Sequence, residues 1–183
     1  MKDPVELEIN PFKILWSIKK DLFPKQLLYT WGILTSFVIV LYVLSAYTEF
    51  TIIINFSISD LLSAGITGIS FTLALISATT KLFSKSELVS IFTYVDNDNL
   101  VEGYLFYRTI APYIWTATNW LAISLIALFS RFVSFQVHII IEKFIEILVI
   151  SLVIMGLLNL WSLVITHIKD VILDIERTLN SDD

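Results

Sequence analysis

The sequence predicts an all-α integral membrane protein: a bundle of four transmembrane helices with both termini on the inner side. Three observations carry this. Residues 26–48, 61–80, 109–130 and 147–168 contain no Asp, Glu, Lys or Arg, and about 20 helical residues cross the roughly 30 Å hydrocarbon layer. The composition, 56% hydrophobic and 16% charged with a mean hydropathy of +0.80, falls short of the roughly 25% charged residues of soluble domains. Ten of the twelve Lys and Arg residues fall in 1–25, 81–108 and the tail, against two in the other two links. The positive-inside rule then places the termini and the middle link in the cytoplasm. The whole chain, 1–183, reads as one membrane domain of the bacterial inner (plasma) membrane.

The first element is an interfacial helix over 11–23. Asn10 is a suitable N-cap and Pro11 suits the first helical position. Phe12, Leu15, Trp16, Ile18, Leu22 and Phe23 gather on one side, with Lys13, Ser17, Lys20 and Asp21 opposite and Lys19 able to snorkel. Lys13, Trp16, Lys19 and Lys20 are the expected contacts with anionic inner-leaflet lipid. Docking of the same helix on the protein's own cytoplasmic part is the other reading. The opening Met1-Lys2-Asp3-Pro4-Val5-Glu6 lacks the early apolar core of a cleavable signal peptide.

Span 1 ends near Tyr42 and Tyr47, residues suited to a membrane interface. The two outer links alternate with period two, Ile54/Phe56/Ile58 and Val133/Phe135/Val137, and predict a small two-stranded ribbon. Asn55-Phe56-Ser57 matches a glycosylation sequon, a match common by chance.

Span 2 carries Ser63, Thr67, Ser70, Ala74 and Ser77 at alternating spacings of four and three, continued by Lys81 and widened by Ala64 and Gly68. Small residues let helices approach closely in lipid, and hydroxyls bond across to a neighbour. The seam therefore packs against another span of the same chain, or turns inward in an oligomer as its axis or pore lining.

The inner link, 84–107, predicts structure. Ser84-Lys85-Ser86-Glu87 forms a capping box before the apolar stripe Leu88, Ile91, Phe92 and Val95. Asp96-Asn97-Asp98-Asn99 makes a turn and lacks the glycine of a calcium-binding EF-hand loop, Val101 standing in its place. Asn99 and Glu102 cap the helix that runs through Tyr104 and Tyr107 into span 3.

Spans 3 and 4 contain Asn119 and Asn159. An uncompensated amide in hydrocarbon is costly, so the two are expected to find partners, each other among the candidates, with a permeation or ligand role as the sharper alternative. Beyond span 4 the helix is expected to continue over 169–180. Val171, Ile172, Ile175 and Leu179 then form an apolar stripe in the cytoplasm, available to a protein partner.

Several chemistries have no residues to rest on. The chain has no Cys, so thiolate catalysis and disulfides are excluded. His138 and His167 fall on opposite sides of the membrane, and no nucleophile, phosphate-loop or metalloprotease motif occurs. Glu142 and Glu146 read as a solvated helix start, or else as an outward cation site. No cofactor, metal or catalytic residue is expected, and no basic face suits nucleic acid.

The run Gly65-Ile66-Thr67-Gly68-Ile69-Ser70-Phe71-Thr72 leads to Lys81-Leu82-Phe83. With both termini inside and a cytoplasmic link, this layout resembles the small multi-pass subunits encoded in bacterial anti-phage systems. The resemblance implies a protein that senses membrane disturbance, or damages the membrane, beside a soluble partner. The expected function is thus a non-catalytic homo-oligomeric anchor or sensor signalling to a cytoplasmic protein. The alternative is a channel or permeabilising effector lined by the Ser63–Ser77 seam, and a lipid or small-molecule transporter or enzyme ranks third.

Overall fold

The computed structural model describes residues 10–19, 22, 24–47, 57–82, 85–94, 103–133 and 138–181. Six helices account for nearly all of them: α1 (Pro11–Ser17), α2 (Lys25–Tyr47), α3 (Leu61–Leu82), α4 (Lys85–Thr93), α5 (Tyr104–Phe132) and α6 (Ile139–Ser181). Four of these, α2, α3, α5 and α6, are long and apolar enough to cross a membrane. Large apolar side chains such as Ile33, Phe37, Leu73 and Leu157 cover their exposed faces. Such a surface suits hydrocarbon as solvent and is far larger than the apolar patches soluble monomers tolerate.

The four uncharged stretches anticipate the spans, but the helices overrun them. α6 starts at Ile139, eight residues before the uncharged stretch, on His138, whose Nδ1 accepts from the Ile140 N–H at 3.4 Å and whose carbonyl accepts from the N–H groups of Ile141 and Glu142. Lys143 Nζ pairs with Glu146 Oε2 at 2.9 Å, Tyr42 Oη donates to the same oxygen at 3.1 Å, and the ammonium lies 5.8 Å from the Tyr42 ring centre. Glu142 is exposed in the first turn, as expected of a solvated helix start, whereas Glu146 is held in this cluster. The first helix is shorter than predicted: α1 ends at Ser17, where the Ile18 N–H closes the last turn on Ile14 O. Its start is as expected, with Asn10 Oδ1 accepting from the N–H groups of Phe12 (3.0 Å) and Lys13 (3.4 Å).

No strand occurs among the described residues. Ile58, assigned to the ribbon, instead opens a single 3₁₀ turn, Ile58–Asp60, held by the Ser57 N–H donating to Asp60 Oδ2 at 3.0 Å. The ribbon positions 54, 56, 135 and 137, the first two residues of the sequon, the Ser84 end of the capping box, the 96–99 turn and the Asn99/Glu102 cap lie outside the described residues.

The chain divides into two compact units. The first unites Met1–Phe23, Leu73–Trp115 and Leu163–Asp183. Its core joins Ile14, Ile18 and Leu22 to Tyr107 and Ala111 of α5. α4 is fastened to α5 by three mutually edge-on rings, Phe92, Phe106 and Tyr107, with centroids 5.8–6.1 Å apart. Gly103 makes this return possible. Its φ of +83° suits glycine, a Cβ there would strike the Phe92 ring, and its N–H donates to Phe92 O at 2.9 Å.

The second unit comprises Pro24–Thr72 and Thr116–Ser162. Among its described side chains α2 has no buried residue; Leu27, Trp31, Thr35, Val38, Tyr42 and Ser45 are half-buried at spacings of three and four, with Gly32 and Leu41 half-buried beside them. Polar stitches reinforce it: Trp31 Nε1 donates to Ser151 O at 3.2 Å, and the Thr35 and Ser151 hydroxyls meet at 3.3 Å.

Candidate functional site

In the first unit, the Thr79 hydroxyl of α3 is the meeting point of three helices. It lies 3.0 Å from Leu75 O, 2.8 Å from Tyr113 Oη of α5 and 3.1 Å from His167 Nδ1 of α6. One assignment satisfies every group: Thr79 donates to Leu75 O and accepts from Tyr113 O–H and from His167 Nδ1–H. The hydroxyl's one proton and two lone pairs are then fully used. This places His167, expected at the inner edge of span 4, in a structural junction.

In the second unit, the inward face of α3 is made by Gly65, Gly68 and Thr72. A Cβ on Gly65 would collide with Ser124, and one on Gly68 with the indole of Trp120. Across α5 the same indole lies against Gly156 of α6, where a Cβ would come within 3.0 Å of the ring. Trp120 is thus clasped between two glycines on different helices, the close approach that small residues permit in lipid. The Thr72 hydroxyl returns to Gly68 O at 2.8 Å and Ser124 to Trp120 O at 2.9 Å, so neither needs a partner on another helix.

The hydroxyl seam of span 2 lies on the opposite side. Ser63, Thr67, Ser70, Ala74 and Ser77 are all exposed, so packing of this seam against another span of the same chain does not occur. The reason is local bonding. Ser63 donates to Asp60 O, Thr67 to Ser63 O and Ser70 to Ile66 O at 2.8–3.3 Å, which satisfies the hydroxyls within α3 and its first turn. Packing then selects the still smaller glycines, of which only Gly68 stands out in the sequence as part of the small surface.

Asn119 and Asn159 are both buried, yet they do not bond each other. Asn119 Nδ2 donates to Leu152 O at 3.1 Å, joining α5 to α6. Asn159, 6% exposed, keeps its Nδ2 without an acceptor, as does Trp120 Nε1. Each such donor costs about 1–3 kcal/mol, so this is the least satisfied part of the described interior.

The remaining predicted sites are surfaces. On α6, Ile172 and Ile175 are 51% and 54% exposed and Val171 is half-buried; the Leu179 side chain lies outside the described residues. On α1, Lys13, Trp16 and Lys19 are exposed, with Lys19 Nζ 4.1 Å from the Trp16 ring centre, while Lys20 lies outside the described residues. The helix is two-sided: Ile14 and Ile18 dock on the protein, and Phe12 and Trp16 face away from it. Ile14, not counted on the apolar side, was legible as the residue four before Ile18.

No family model matches the chain, and neither a curated protein nor a solved structure shows significant similarity to it.

Proposed function

We propose that this is a non-catalytic, oligomeric inner-membrane protein, with both termini cytoplasmic, that anchors or signals to a cytoplasmic protein partner. The carrying observation is the length of α6. Its residues beyond 168 extend about 20 Å past the uncharged stretch, and they present Ile172, Leu173 and Ile175 exposed. Apolar side chains beyond the hydrocarbon require cover. The layout resemblance suggests a bacterial anti-phage system as the setting, in which such a partner is a soluble subunit.

A photo-reactive amino acid at Ile175 in intact cells tests this. The expected product is a cross-link to one soluble protein, lost when Ile172→Asp is added and retained with Thr166→Ala. Cross-links to lipid alone would reject the reading.

The channel alternative draws support from the outward hydroxyl seam, since a pore built from several copies needs such a face on the outside of each bundle. Purified protein in liposomes is then expected to pass small ions, with Ser70→Leu lowering the flux at least tenfold. Liposomes that stay tight at high protein density would end this alternative.

A further inference from the structure

We propose that a cavity in the first unit, enclosed by α3, α4 and α5, is a lipid site that holds part of one acyl chain of a phospholipid from the adjoining leaflet. The space measures about 120 Å³. Its lining looks half polar by residue type and is hydrocarbon in fact. Ile76, Leu88, Ile91, Phe106 and Ile110 are apolar outright. The other four lining residues, Thr79, Thr80, Thr109 and Tyr113, carry hydroxyls that are already engaged. Thr79 and Tyr113 bond each other, Thr80 donates to Ser77 O at 3.1 Å, and Thr109 to Leu105 O at 3.0 Å. The threonines are left to present methyl groups. An occupant finds no unengaged donor and a lining surface that is almost all carbon, which suits hydrocarbon; apolar cavities of roughly 150 Å³ exclude water and take up small apolar groups.

The position selects lipid as the source. The exposed lining residues are Thr80 and Thr109, the last and first residues of two uncharged stretches. Lys81 and Arg108, both exposed, adjoin them in the chain. Cations at the end of a span lie at the depth of lipid phosphates. A phospholipid can therefore place its headgroup beside Lys81 and Arg108 while a few methylenes enter between Ile76 and Ile110. α4 closes the space through Leu88 and Ile91, which gives this short helix an apolar floor made partly of lipid.

The test uses the full chain reconstituted in phosphatidylcholine–phosphatidylglycerol vesicles, with a trace of phospholipid bearing a diazirine on one acyl chain. After irradiation, label is expected to concentrate in the peptides spanning 88–91 and 106–113. Ile110→Trp, which fills the space, should reduce that label at least fivefold, and Ile91→Trp, which fills it from α4, should do the same. Leu125→Trp, on an exposed face of α5, should leave it unchanged. Label spread evenly over exposed faces such as Ile33 and Phe37 would overturn the proposal, as would label insensitive to both filling variants. Retention of the label by a folded Lys81→Glu variant in phosphatidylcholine alone, at full intensity, would overturn the headgroup contact.

Discussion

Replacing Gly68 with leucine is expected to force α3 away from α5 and to lower the thermal midpoint of the detergent-solubilised protein sharply. The added side chain has no space, because the Trp120 indole occupies the site where its Cβ would begin. Overpacking of this kind costs about 1–3 kcal/mol when neighbours can shift. Here Gly156 of α6 also lies close against the same ring, so the upper end is expected. Trp120→Ala alone removes the largest buried side chain among the described residues of the second unit and should cost about 3–5 kcal/mol. The double variant is the decisive measurement. Because each change relieves the clash or the void left by the other, its loss should be well below the sum of the two. Simple additivity would mean that the glycine and the indole do not share a site.

The second large effect is expected at Ile18, which is 1% exposed in the core formed with Tyr107 and Ala111. Ile18→Ala should cost about 2–5 kcal/mol locally and free α1, read as faster proteolysis after Lys13 with α2–α6 intact. Trp16→Ala, at a position 73% exposed, should leave proteolysis unchanged. It should instead weaken retention of the solubilised protein on anionic vesicles, since Trp16 and Lys19 occupy the side of α1 that faces away from the protein. A Trp16→Ala protein with unaltered vesicle retention would leave α1 with docking as its whole role.

The spans were legible because the absence of charge over twenty residues is a strong signal that depends on no neighbour. That a helix runs through Tyr104 and Tyr107 into the third span was legible too, whereas its start at Tyr104 follows Gly103, whose φ of +83° is not helical. The faces were harder to read. In water, burial sorts apolar from polar residues, so periodicity reveals the inside. In a membrane both sides of α3 are chemically tolerable: Ser70 can bond its own helix and face outward, while Gly68 can go inward because it is small. Which side packs depends on the partner's shape, here Trp120, and nothing in α3 itself encodes that. Asn159 shows the same limit, as its burial was foreseeable and its lack of an acceptor was not. The length of α1 was not legible, since apolar residues at helical spacing continue to Leu22 while the helix ends at Ser17.

The uninterrupted course of α6 has a mechanical consequence. A single rod of 43 residues, about 65 Å long, has no proline and only one glycine, Gly156, which is clamped against Trp120. Thinning or bending of the bilayer that tilts the last 20 Å of the helix by about 10° would sweep its end sideways by roughly 3–4 Å. That displacement is comparable to the width of a side chain, enough to break or make the register of anything resting on Ile172 and Ile175.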